Sequence, residues 1–215
     1  MRMRKKKWAK PYIEERTDTV IQAPETCKGR WREILGTKEV RLEIGAGKGS
    51  YWIGMGEKYP DTGWIALEKS PDAAAIGLKK CLTPGPNMKY IVGDAEGIDE
   101  WFAPGEVDVI HLNFSDPWPK KSHAKRRLTA EKFRKKYDVI LKPDGLVILK
   151  TDNIGLYEYS LEKMNDLFDL IERDDDFRKT PHDEDVITEY EQEFMDKGQP
   201  IYRAVWRHKE KINEE

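Results

Sequence analysis

Arg41-Leu42-Glu43-Ile44-Gly45-Ala46-Gly47-Lys48-Gly49 is the stretch on which the architecture turns. An apolar run beginning at Val40 ends in three alternate glycines, and Ser50 opens a segment with a helical pattern. Glycine allows the tight strand-to-helix turn and lets a ligand come close to the backbone. The pattern is G-x-G-x-G, whereas the dinucleotide fingerprint G-x-G-x-x-G needs glycine where Ser50 stands. That departure disfavours a nicotinamide-dependent oxidoreductase. Glu43 lies two residues before the first glycine, where a strand-end carboxylate suits the cationic end of a ligand better than a pyrophosphate.

Outward from this loop, strand and helix patterns alternate. Apolar runs predict strands at 40–44, 63–67, 89–92, 107–114, 146–151 and 201–207. Helical patterns fill the gaps near 50–59, 71–81, 129–141 and 155–167, with Pro71 suited to a first turn. Lys142-Pro143-Asp144-Gly145 reads as a turn that launches a strand. Strands separated by helices of this length imply an α/β protein, a mostly parallel twisted sheet with helices on both faces. Ligands in such sheets bind beyond the carboxyl ends of the strands, at the point where strand order reverses. The organisation is a basic N-terminal arm over 1–24, a single domain over 25–210 and a polar tail over 211–215.

Acids recur where strands end. Glu68 closes the second strand, 21 residues after Gly47, the spacing at which an acid accepts from ribose hydroxyls. Asp94 follows the third strand and could accept from an adenine amino group, or cap the helix that Ala95-Glu96-Gly97 would begin. Asp116 follows the fourth. Each taken singly could be a helix cap, but with Glu43 the four argue for a positively charged cofactor bearing a nucleoside. S-adenosylmethionine fits: adenine, ribose, a sulfonium cation and no phosphate.

Asp116 belongs to Asn113-Phe114-Ser115-Asp116-Pro117-Trp118-Pro119-Lys120, followed at once by Lys121-Ser122-His123-Ala124-Lys125-Arg126-Arg127. The prolines stiffen this loop and bias Asp116 and Trp118 toward extended backbone. Trp118 could stack on a base, but between two prolines it reads better as a plug at the sheet edge. Charge is segregated behind a net of −2: six Lys or Arg and no acid in residues 1–10, nine against Glu131 alone in 120–136, and eleven acids against three cations in 172–196. Two basic tracts, one abutting the loop, point to a polyanionic partner, with affinity falling as salt rises. The acidic run reads as a solvated helix face. The mean hydropathy of −0.79 comes with no run long enough to span a membrane. Cys27 and Cys81 lack metal-ligand spacing and read as free thiols in a reducing, cytoplasmic setting, and no metal is expected.

The chain resembles the bacterial tRNA (guanine-N7-)-methyltransferases, whose fold is Rossmann-like class I. The resemblance runs from about residue 20 to residue 208. It is carried by Leu42 to Gly49, by Asp116-Pro117-Trp118-Pro119-Lys120, by His123 with Lys125-Arg126-Arg127-Leu128, by Lys150-Thr151-Asp152 and by Thr188-Glu189-Tyr190-Glu191. It implies a sheet with an antiparallel C-terminal strand and a cofactor site of Glu43, Gly45, Gly47, Glu68, Asp94 and Asp116, with Asp116 catalytic. It further implies that Lys120, Asp152, Thr188, Tyr190 and Glu191 meet the target guanosine. RNA would lie on Lys121, Ser122, His123, Lys125, Arg126 and Arg127. Ser122 stands where the family commonly has Arg, with Lys121 beside it to supply the charge. The expected substrate is a guanine in the variable loop of tRNA, and the protein a monomer or homodimer. The alternatives are an amino-group methyltransferase on another nucleic acid or small molecule, and an RNA-binding protein that has lost activity. Guanine N7 carries a lone pair and no proton, so a charge-based role for Asp116, holding N1–H and the exocyclic amine, suits it better than a general base.

Overall fold

The computed structural model describes residues 5–209; the first four residues of the arm and the tail at 211–215 lie outside them. Seven strands form one sheet: β1 (Val40–Ile44), β2 (Gly63–Glu68), β3 (Met88–Val92), β4 (Val107–Asn113), β5 (Leu141–Thr151), β6 (Phe168–Asp174) and β7 (Tyr202–His208). Their order is β3-β2-β1-β4-β5-β7-β6. β1 to β5 pair in parallel, and β7 runs antiparallel between β5 and β6. The expected strands and the antiparallel C-terminal one are all present.

Alternation along the strands builds two cores. Ile65 and Leu67 of β2 join Trp31, Phe102, Phe133, Tyr137 and Tyr157 on one face. Trp64 and Ala66 of the same strand join Ile13, Trp52, Met55, Leu78 and Tyr90 on the other. The first face is covered by α2 (Trp31–Leu35), α5 (Ile98–Trp101), α6 (Glu131–Ile140) and α7 (Ile154–Lys163); the second by α1 (Ala9–Glu15), α3 (Ser50–Lys58) and α4 (Pro71–Lys80). β4 is buried along its whole length, with Asp108, His111 and Asn113 buried among its apolar residues.

Three features depart from expectation. The edge strand β6 is absent from the predicted set, because it is exposed and charged beyond Phe168 and shows no alternation. The 142–145 turn is an excursion inside β5, with Asp144 at φ 61° and a register shift opposite Val107 and Val109. The stretch read as an arm is built into the fold from Lys6 onward. The Lys6 N–H donates to Asp72 (2.8 Å), α1 buries Ala9 and Ile13 against α4, and Val20 bridges to Tyr90.

Candidate active site

β1 and β4 are the neighbours at which the strand order reverses, and a cleft of about 350 Å³ opens over their carboxyl ends. Its floor is Glu43, the glycine loop, Asn113 and Phe114; its far wall is Thr188, Glu189, Tyr190 and Glu193, which come from the start of α8 (Glu189–Asp196) and the residue before it. Gly45 and Gly47 have φ of 80° and 57°, left-handed values closed to most side chains. α4 approaches the loop closely because Gly77 has no side chain: a Cβ there would lie 3.0 Å from the Lys48 carbonyl.

Of the expected cofactor acids, Glu43 lines the cleft and Glu68 bonds its glycine loop, whereas Asp94 and Asp116 are not among the lining residues. Glu43 is 2% exposed and accepts from Asn113 Nδ2 at 3.1 Å, while its Oε2 has no hydrogen-bond partner. Burial drives its carboxyl up to about 7, with Asn113 and Lys150 pulling the other way. Glu68 accepts the Gly47 N–H (2.8 Å) and the Ser70 N–H (2.7 Å), so it ties the loop to the start of α4. Two of its roughly four acceptor positions remain for a ligand. Asp94 accepts the Glu96 N–H, as its capping alternative anticipates, and pairs with Lys69. Burial raises its carboxyl, but Lys69 and the Glu96 amide outweigh that and hold it below the usual range.

Asp116 is exposed and carries no hydrogen bond or ion pair among the described residues. The loop that presents it is strained rather than merely extended. Phe114 and Trp118 have φ of 51° and 42°, so Trp118 does not take the extended backbone expected before Pro119. The loop is held by Arg127, whose guanidinium donates to the carbonyls of Pro117 (2.9 Å) and Trp118 (3.1 Å). Arg127 is only 9% exposed, so it lies under the loop and not on the surface with the neighbouring cations, and does not fit the expected RNA contact. Lys120, Lys121, Ser122, Lys125 and Arg126 are exposed and His123 half-buried. Trp118 is also half-buried, with Arg126 over its ring (4.9 Å) and His123 edge-on (5.8 Å), and so does not plug the sheet edge.

Most of the acidic run is solvated, as expected, but Asp185 and Glu191 are drawn inward. Between β6 and β7 the chain folds back over the cleft and buries these two acids in ion pairs. Lys150, 1% exposed, donates to Asp185 (2.7 Å) and Glu191 (3.1 Å), and Arg178 donates to the same two acids. Burial raises the Asp185 carboxyl, yet Lys150 and Arg178 hold it below the ordinary range. Thr188 caps α8 and Glu191 returns the bond to the Thr188 N–H, a reciprocal capping box. Glu191 is wholly buried and bonded through both oxygens, so it fixes the wall and does not fit the expected contact with guanosine. Tyr190 does face the cleft, beside Phe114. Asp152 is half-buried just beyond β5, and burial raises its carboxyl. Sequence reasoning did not single out Asn113 or Tyr51 as lining residues; their position beside the glycine loop arises only when β4 and α3 meet β1.

Solved structures that align with this chain include methyltransferases. The 16S rRNA methyltransferase KamB aligns with a TM-score of 0.63 at 12% identity, over 84% of this chain and 92% of that one. The geranyl diphosphate C-methyltransferase of Streptomyces coelicolor A3(2), solved with S-adenosyl-L-homocysteine, aligns with a TM-score of 0.55 at 14% identity, over 83% and 74%. The fold is that of a class I, Rossmann-like methyltransferase. A putative methyltransferase family model matches residues 37–204. The tRNA (guanine-N(7)-)-methyltransferase of Limosilactobacillus reuteri is 45% identical over 210 residues, 95% of this chain and 98% of the relative. The chain belongs to the tRNA (guanine-N(7)-)-methyltransferase family.

Proposed function

We infer that this chain methylates N7 of a guanine in tRNA, using S-adenosylmethionine as the methyl donor, and that the guanine lies in the variable loop. Near full-length identity to a relative of that name supports the activity. The observation that carries the site is a buried carboxylate on the cleft floor, Glu43, whose Oε2 has no hydrogen-bond partner beside a glycine loop of left-handed backbone. The residues fit the donor: the left-handed glycines leave room for a ligand against the backbone, and Glu43 Oε2 is short of a partner that a cationic group would supply. Glu43, Gly45, Gly47 and Glu68 would hold it, with Asp94 at the adenine end. When bound, it supplies an activated methyl group.

The chain's own task is alignment. N7 has no proton to lose, so a base that fixes the ring in line gains the benefit of proximity, roughly 7–11 kcal/mol in favourable cases. Asp116 accepts from the guanine N1–H and exocyclic amine and faces the positive charge that grows on the ring. Lys120, Asp152, Thr188 and Tyr190 complete the base site. Lys121, Ser122, His123, Lys125 and Arg126 bear the RNA backbone, with the basic N-terminal segment as a second contact. Incubation with labelled S-adenosylmethionine and unmodified tRNA, followed by chemical cleavage at N7-methylguanosine, tests the reaction. Asp116→Asn should slow single-turnover transfer at saturating tRNA by about 10²–10³-fold; a near-native rate would remove the charge-based role.

A further inference from the structure

Tyr190 presents its ring to the cleft with 46% of its surface open. Its ring centroid lies 4.9 Å from that of Phe114 and 4.8 Å from that of Phe194. Phe114 makes its contact from a left-handed backbone, a conformation that bulky residues avoid and that collects at functional sites. Burial first, then the charges of Asp152, Glu193 and Asp116, push the Tyr190 hydroxyl up. On the cleft floor Glu43 keeps a buried oxygen without a partner.

An aromatic face is electrostatically negative and attracts cations, the more so where water is thinned out. A neutral guanine gains only stacking from such a face. Methylation adds a group at N7 while no proton leaves, so the ring ends one unit more positive. We propose that the face of Tyr190, braced by Phe114 and with the Glu193 carboxylate beside it on the cleft wall, is a charge-selective seat that holds the N7-methylated, cationic base more tightly than the neutral one. The seat favours the charge developing on the ring during transfer, and it makes the methylated RNA slow to leave. The inference rests on the guanine-N7 reading above.

One tRNA transcript, unmodified or methylated by the protein and typed by chemical cleavage at N7-methylguanosine, provides the test. Cleavage reports the guanine-N7 reading; the ratio of the two affinities reports the seat. Binding to the full chain is measured with S-adenosylhomocysteine at saturation and at mildly acidic pH, where the methylated ring keeps its positive charge. The methylated RNA should bind about tenfold tighter, equivalent to about 1.4 kcal/mol. The ratio should persist in Tyr190→Phe, collapse toward one in Tyr190→Leu, and shrink at higher pH as the ring loses its N1 proton. Equal affinities in the wild-type protein overturn the inference whether or not Tyr190→Leu folds. So does a preference that survives in folded Tyr190→Leu.

Discussion

Glu106 and Glu43 are both buried carboxylates beside central strands, and they have opposite surroundings. Glu106, just before β4, accepts the N–H groups of Gly29 (2.9 Å), Trp31 (2.8 Å) and Ala103 (2.8 Å). Its neighbour Asp108 accepts the Val40 N–H (2.8 Å) and pairs with Arg32 (3.0 Å) and Lys142 (2.7 Å). At the opposite rim Glu43 has a single side-chain donor and an oxygen left over, and Asp116 has none. Buried polar groups are normally satisfied, and those that are not ask for a reason. On the amino-terminal rim the chain fills its own carboxylates and gains stability. On the carboxyl-terminal rim Glu68 and Asp94 are partnered, but Glu43 and Asp116 are left short.

This contrast can be broken in order of size. Glu106→Ala strands three backbone N–H groups and should cost about 3–5 kcal/mol in denaturant unfolding, each lost acceptor costing about 1–3 kcal/mol and the three adding less than fully. Transfer rate per folded molecule should hold; an equal loss of both would erase the distinction between the rims.

Glu43→Gln should act in the other direction. The folded protein prefers Glu43 protonated up to about 7, whereas an unperturbed glutamate ionises near 4.5. Stability from this group is therefore fully present below about 4.5 and is lost as pH rises to about 7. The loss is bounded at about 3 kcal/mol. Buried His111, held well below 6.5 chiefly by burial, has the opposite sign, destabilising the fold as pH falls below the ordinary imidazole range. It is common to both proteins and cancels in the comparison. Thermal unfolding from pH 4.5 to 7 should show the ligand-free variant gaining on the wild type as pH rises, while its affinity for S-adenosylhomocysteine falls. A difference that stays flat across that window would show Glu43 to be satisfied after all.

The smallest effect sharpens the comparison. Gly77→Ala places a methyl 3.0 Å from the Lys48 backbone, and should cost about 1–3 kcal/mol. Because the crowding falls on the glycine loop, cofactor-product affinity should drop with it. An unchanged affinity would mean that α4 gives way and the loop does not.

Much of the fold was legible because its signals are local. The runs at β1, β2 and β4, the glycines at 45, 47 and 49, and acids placed where strands stop need no tertiary information. β6 was not, since Asp169 to Asp174 lie on an exposed edge where burial imposes no pattern. Lys150 reads from sequence as one polar residue at the end of a strand; only the return of residues 178–191 makes it the centre of a buried ion network. Arg127 and Arg126 are adjacent cations in a basic tract, yet one lies beneath the loop and the other on its surface.

By itself, then, the sequence determined the parallel sheet and the position of the cleft, because strand periodicity, glycine conformation and charge are properties of short segments. Tertiary structure alone decided which carboxylates stay unsatisfied, that part of an acidic run becomes the wall of the cleft, and which aromatic ring faces it. Those depend on which donors the folding chain brings within reach of each group, and donors and acceptors far apart in sequence meet only when the sheet closes.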